Sequence, residues 1–159
     1  MQIQFLADRP EVTPVIAQWY FEEWGRKNPE NSVAAIHRRL RRETSREILP
    51  LQIIAIGEDG ALLGTAQLKL REMTIFPERK FWLGGVYVSR QVRGRGIGAA
   101  LVNRVIELAQ RRAIPELWLQ TYAKDGGLYA RLGWIITDHL LYKGEEVTVM
   151  VRKINDGAP

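Results

Sequence analysis

Residues Val86 to Gly98 read Val-Tyr-Val-Ser-Arg-Gln-Val-Arg-Gly-Arg-Gly-Ile-Gly, and an apolar helical pattern runs on from Ala99 to Arg111. Alternating β-branched and aromatic residues over Trp82 to Val88 predict a strand. Gly94, Gly96 and Gly98, at two-residue spacing, predict a turn, and Leu101, Val105, Ile106, Leu108 and Ala109 recur at helical spacing. A strand that passes through a glycine turn straight into a helix points to an α/β chain, and it builds a site for an anion. Glycine lets the backbone come close to a phosphate, and the first-turn N–H groups of a helix have no partner within the helix.

Which anion follows from what the loop lacks. A nucleoside triphosphate loop needs a Lys and a hydroxyl after its last glycine, and here Ala99 and Ala100 follow Gly98, which excludes kinase and GTPase chemistry. The dinucleotide fingerprint needs Gly-x-Gly-x-x-Gly after a first strand, whereas this loop has Gly-x-Gly-x-Gly spacing past mid-chain with no βαβ unit before it. The pattern Arg/Gln-x-x-Gly-x-Gly/Ala fits twice, as Gln91 to Gly96 and as Arg93 to Gly98. It resembles the acyl-CoA site of the GCN5-related N-acetyltransferases, the GNAT family.

A second segment extends the resemblance. Gly127-Leu128-Tyr129-Ala130-Arg131-Leu132-Gly133-Trp134, preceded by a strand from Leu117 to Thr121, is similar to the family's Phe/Leu-Tyr-x-x-x-Gly-Phe/Trp segment. The two motifs stand in the family's order, and the layout matches over about Leu51 to Val151. The resemblance implies an α/β (α+β) fold with a mixed central sheet of six to seven strands, a splayed pair of fourth and fifth strands, and about four flanking helices. It implies acetyl-CoA as co-substrate. Val86, Tyr87 and Val88 would supply backbone groups to the pantetheine. The backbone from Gly94 through Arg95, Gly96, Ile97 and Gly98 to Ala99 would hold the pyrophosphate, with Arg93 and Arg95 facing phosphate or solvent. Tyr129 would protonate the leaving thiolate, and Gly133 would turn its helix into the next strand.

Composition narrows the chemistry further. The 159 residues, 46% of them hydrophobic, are enough for one core, so a single domain is expected, and the resemblance implies residues 1–50 on the acceptor side and 51–153 forming the acetyl-CoA core. The sequence contains no cysteine, which excludes disulfides, Cys-ligated metal and a cysteine acyl-enzyme. Two histidines without a Ser-His-Asp order speak against a covalent serine intermediate. The net charge of +5 suits an enzyme of a multiply phosphorylated substrate. The basic run His37 to Arg42 is interleaved with Ala34, Ala35, Ile36 and Leu40, as the wet face of an amphipathic helix would be, so no nucleic-acid partner is expected. The start, Met1 to Asp8, lacks the pattern of a signal peptide, and no run approaches the roughly 20 apolar residues of a membrane span. A cytoplasmic protein without a membrane partner or a metal is expected, as monomer or homodimer.

The remaining elements follow in order. Ile3 to Leu6 predicts a strand. Thr13 to Glu23 predicts a helix with Val15, Ile16, Trp19 and Tyr20 as its stripe. A second helix, capped by Asn31 or Ser32, runs through Arg42. Leu51 to Ile56 and Leu62 to Leu70 form a hairpin around Glu58-Asp59-Gly60, and Arg71 to Lys80 is a polar connection. Strands Glu116 to Thr121, Trp134 to Leu140 and Glu146 to Arg152 complete a β-α-α-β-β-β-α-β-α-β-β order, and Asn155 to Pro159 is expected to fray. Gly84-Gly85 marks either a bulge in its strand or close packing. Trp24 and Trp82 are expected in the core rather than in an acceptor cleft, and His139 is expected to be structural.

The sequence thus reads as an N-acetyltransferase acting on a primary amine, a small molecule or a peptide or protein N-terminus, by direct attack in a ternary complex. The alternative is a non-catalytic acyl-CoA-binding module on the same fold. A base must take a proton from the amine. Glu23, Glu72, Glu78, His37 or water can do so, and no spacing singles one out.

Overall fold

A computed structural model describes residues 1–154, so the expected fraying of Asn155 to Pro159 lies outside the described residues. The strands are β1 (Gln2–Phe5), β2 (Leu51–Ile56), β3 (Leu62–Leu70), β4 (Phe81–Val88), β5 (Glu116–Thr121), β6 (Ile135–Tyr142) and β7 (Glu145–Lys153). The helices are α1 (Thr13–Glu23), α2 (Val33–Glu43), α3 (Ile97–Arg111) and α4 (Gly127–Arg131). The element order is the expected one. The strands form one seven-stranded sheet in the order β1-β2-β3-β4-β5-β7-β6. It is mixed: β4 pairs in parallel with β5 at Trp82 and Trp118, while β1 with β2, β5 with β7 and β6 with β7 are antiparallel.

The chain divides into two compact units, Met1–Gln67 with Gly85–Leu101, and Leu68–Gly84 with Val102 onward. In the first, every residue of β2 is buried, as a strand covered on both faces requires. α1 closes over its core with Ile16, Ala17 and Tyr20, and α2 with Ile36 and Leu40. The buried stripe of α1 is Thr13, Ile16, Ala17 and Tyr20. Val15 is instead 44% exposed. The helical spacing i, i+3, i+4, i+7 selects the two small residues and leaves the bulkier valine in water. Ser32 caps α2, its Oγ accepting from Ala35 N at 3.0 Å. The arginines at 38, 39, 41 and 42 lie on the exposed side of α2, the wet face expected of that run.

In the second unit, Met73, Trp82, Val147 and Val149 form a buried cluster with Phe76, Trp118, Leu140 and Tyr142 packed around it. Trp82 is a core residue, fully buried. Trp24, in the first unit, is 37% exposed and tilts against Tyr20, which corrects its expected core placement. The connection from Arg71 to Lys80 is ordered by Arg79. Its guanidinium lies 3.8 Å from the Phe76 ring centre and 4.2 Å from that of Trp118, and it donates to Asp138 at 2.7 Å. Burial pushes the Asp138 carboxyl up, but the bonds from Arg79 and Thr137 outweigh it and hold that carboxyl below its usual value. His139 is exposed at the ring and pairs with Thr148 across the β6–β7 ladder at 3.0 Å, the structural role expected of it.

Candidate active site

The glycine loop belongs to the first unit. After β4 the chain makes a short 3-10 turn at Arg90–Val92 and then reaches Gly94 and Gly96, with φ of 79° and 81°. A Cβ built on either glycine meets nothing within 4 Å, so conformation rather than crowding requires glycine there. α3 begins at Ile97, and Ala100 N bonds to Gly96 O at 3.1 Å. Gly98 therefore stands inside the helix, and the left-handed turn is carried by Gly94 and Gly96. The N–H groups of Ile97, Gly98 and Ala99 come before the first i to i−4 bond, at the positive end of a 15-residue helix. These are donors of the kind a pyrophosphate takes up.

Val86 and Val88 on β4 are half-buried. The Tyr87 side chain points into the core and stacks on Trp19 at 4.9 Å, so it is not offered to a ligand. Arg93 faces solvent and also touches its own chain. Though exposed, it folds back, its Nε donating to Val88 O at 2.9 Å and its guanidinium lying 5.2 Å from the Tyr87 ring centre. One lone pair of the Val88 carbonyl is thus taken by the chain itself. Arg95 is exposed.

The tyrosine motif belongs to the second unit. α4 is a helix of five residues between two left-handed glycines, Gly126 (φ 84°) and Gly133 (φ 89°). Gly126 is needed on two counts, since an added Cβ would stand 2.7 Å from Met150 Cε. At the other end Trp134 N bonds back to Tyr129 O at 3.0 Å, the six-to-one closure that a left-handed glycine permits. Gly133 thus turns the helix into β6. The Tyr129 ring meets the buried Trp134 indole edge-on, centres 6.2 Å apart. Burial, and then the charge of Glu72, push the Tyr129 phenol up to about 12.

Glu72 separates itself from the other base candidates. Its side chain is 16% exposed, with Oε1 3.2 Å from Lys69 Nζ and Oε2 accepting from Gln120 Nε2 at 3.1 Å. A Cβ on Gly84 would fall 2.6 Å from Glu72 Oε1 and 2.7 Å from Lys69 Cδ, so the bare backbone of β4 makes room for this carboxylate. Glu23 is exposed, Glu78 is 68% exposed beside Arg79, and His37 lines an open hollow with Glu11 and Arg41. Sequence spacing did not distinguish Glu72, and it missed Lys69 and Gln120 altogether. Only the local Lys69–Glu72 spacing was available as a signal. Among the described residues no group of three or more His, Asp or Glu could hold a metal.

Comparisons with known proteins give the family and the fold. Residues 11–134 match the family model described as the acetyltransferase (GNAT) family. An uncharacterized N-acetyltransferase of Methanocaldococcus jannaschii is 44% identical over 52 residues, which are 31% of this chain and 23% of that protein. The match therefore spans about a quarter of that relative's length. Among solved structures, an aminoglycoside 6'-N-acetyltransferase complexed with coenzyme A superposes with a TM-score of 0.74 at 16% identity, covering 98% of both chains. A phosphinothricin acetyltransferase from Sinorhizobium meliloti in complex with AcCoA gives 0.69 at 17% identity, covering 98% of this chain and 89% of that one. At these identities the structures speak for the fold. It is the expected mixed sheet with four α-helices.

Proposed function

The chain belongs to the acetyltransferase (GNAT) family, whose co-substrate is acetyl-CoA, and from that premise we propose that it moves an acetyl group to a primary amine by direct attack in a ternary complex. The observation that carries the catalytic reading is a half-buried Tyr129, edge-on to Trp134, lying in the field of the mostly buried Glu72 carboxylate that Lys69 and Gln120 hold. The helix-terminal N–H groups of Ile97, Gly98 and Ala99, reached through Gly94 and Gly96, bind the pyrophosphate, and the backbone of Val86 and Val88 meets the pantetheine amides. Arg95 adds positive charge at the rim.

In this reading Glu72 accepts the proton that the amine must lose. The nitrogen attacks the thioester carbonyl, the C–S bond breaks, and the thiolate leaves against the Tyr129 hydroxyl. A phenol held at about 12 does not hand its proton freely to a thiolate whose conjugate acid is near 8.5. Tyr129 therefore acts first as a hydrogen-bond donor that stabilises the developing sulfur charge. Once Glu72 is neutralised by the amine's proton, the smaller of the two causes of the raised value disappears, and transfer becomes easier. Burial, the larger cause, stays.

The acceptor is a primary amine on a small molecule or at a peptide N-terminus. The solved relatives include enzymes named for aminoglycosides and phosphinothricin, which supports an amine without choosing one. The reaction is placed in the cytoplasm, with the chain acting as a monomer or homodimer. Thiol release from acetyl-CoA, measured across a panel of amines, tests the proposal. Turnover with one class of amine is expected. Tight acetyl-CoA binding with no turnover on any amine would make the chain a binding module instead.

A further inference from the structure

Four polar side chains, those of Tyr20, Gln52, Thr65 and Gln67, are buried in the first unit, each with 7% exposure or less. They are joined to one another. Gln67 Nε2 donates to Gln52 Oε1 at 2.7 Å. Gln52 Nε2 donates to Thr65 Oγ1 at 2.6 Å and to Tyr20 Oη at 2.8 Å. Thr65 Oγ1 donates to Ile53 O at 2.7 Å, and Tyr20 Oη donates to Gly85 O at 2.6 Å.

The direction of this chain is fixed by what each group can do. An amide nitrogen only donates, and the Gln52 amide gives both its hydrogens inward. Tyr20 Oη must then accept from Gln52, and its one hydrogen goes to the Gly85 carbonyl. One end of the network is the Ile53 carbonyl within β2, and the other is the Gly85 carbonyl, in the one residue of β4 with a positive φ, 56°. Gly85 is crowded as well as twisted. A Cβ there would run into Tyr20 Oη and stand 2.7 Å from Gln67 Oε1. Of the two alternatives that the sequence left open, close packing of the sheet on a helix holds at Gly85, where the helix residue is Tyr20. Well-packed apolar residues could fill this volume, and a buried polar network is costly when any member lacks a partner. Its arrangement makes sense as a means of holding one peptide in one orientation.

The residues that follow Gly85 are Val86, Tyr87 and Val88. We propose that Tyr20 is a positioning residue for acyl-CoA, its hydroxyl fixing the Gly85 peptide and so the direction in which Val86 and Val88 present their backbone groups. This inference rests on the reading that those groups meet the pantetheine. Tyr20 itself touches no ligand. It acts through Gly85.

Tyr20→Phe keeps the ring and removes the hydroxyl. Acetyl-CoA affinity by calorimetry is expected to fall about tenfold, the scale of one hydrogen bond. The KM for acetyl-CoA should rise with it, while kcat at saturation and the KM for the amine change less than about threefold. Gln52→Leu should lower the melting temperature yet keep acetyl-CoA affinity within about threefold, because Tyr20 can still donate to Gly85. Gln52→Glu, nearly isosteric, offers Tyr20 a competing acceptor and should weaken acetyl-CoA as Tyr20→Phe does, so it carries the test if that variant fails to fold. Wild-type affinity in folded Tyr20→Phe, or an equal loss in Gln52→Leu, overturns the inference. Failure of the wild-type chain to bind acetyl-CoA would instead strike the proposed function on which the inference rests.

Discussion

In the function proposed for this chain, the glycine loop and the Tyr129 neighbourhood contribute by opposite means. The loop is exposed, its glycines have empty space where side chains would stand, and its donors are backbone N–H groups at the start of α3. The tyrosine neighbourhood depends on side chains and their surroundings: a phenol half-buried against an indole, a carboxylate held by Lys69 and Gln120, and a glycine that clears space for that carboxylate. Backbone recognition tolerates change in the side chains around it but not in φ. An environment-tuned group tolerates neither a lost neighbour nor a changed degree of burial.

Four experiments sharpen or break this contrast. The largest effect is expected for Gly96→Val, which forces a β-branched residue to a φ of 81°. Acetyl-CoA affinity should fall by about 10²-fold or more while the melting temperature changes little, since the position is open and exposed. Unchanged affinity in the folded variant would remove the loop from the site. Next, Tyr129→Phe keeps the ring on Trp134 and should lower kcat by roughly 10²-fold at nearly constant acetyl-CoA affinity. A loss below about threefold would mean that the hydroxyl has no part in the reaction.

Glu72→Gln should reduce kcat by about tenfold or more. It should also move the Tyr129 titration, followed by ultraviolet absorbance, down from about 12. That movement should stop short of the ordinary phenol value because burial is the larger cause. A titration that stays put would show that the two groups are not coupled. The smallest effect concerns stability at high pH. Unfolded tyrosine loses its proton near 10, whereas folded Tyr129 keeps it to about 12. Between those values the folded state binds more protons, so stability complete below pH 10 should drain away as the pH rises to 12. Denaturant unfolding of the wild type and Tyr129→Phe at pH 9 and pH 11 measures this, and the variant should lack the added loss. Parallel curves would contradict it.

The same contrast explains what the sequence made legible. Glycine spacing is written in one short window, so the turn at Gly94 and Gly96 and the two motifs could be read directly, although α3 begins at Ile97, two residues before the expected Ala99, and takes in Gly98. Periodicity placed every strand and helix in order. It erred at α1, where Val15 looked like a core residue and Ala17 did not, because burial there follows close approach rather than hydrophobic size. Glu72 was only one acid among several, since its partners Gln120 and Gly84 come from other strands. Arg93 was expected to face phosphate or solvent, and sequence cannot show that its side chain also folds back on Val88. The Tyr20 network was invisible for the same reason: its members are scattered over residues 20 to 85, Tyr20 reads as part of an apolar stripe, and each of the glutamines and the threonine alone reads as an ordinary polar residue.

The clamp of Arg79 between Phe76 and Trp118 has a consequence for the timing of catalysis. Glu72 rides on the connection from Arg71 to Lys80, ten residues that would otherwise sample many conformations. Because the guanidinium, its bond to Asp138 and the Trp82 indole bond to Arg79 O at 2.6 Å already hold that segment, its conformational entropy is surrendered once, when the chain folds. If Glu72 is the base proposed above, each turnover would begin with the carboxylate preorganised, and none of the acceptor's binding free energy would be needed to arrange it.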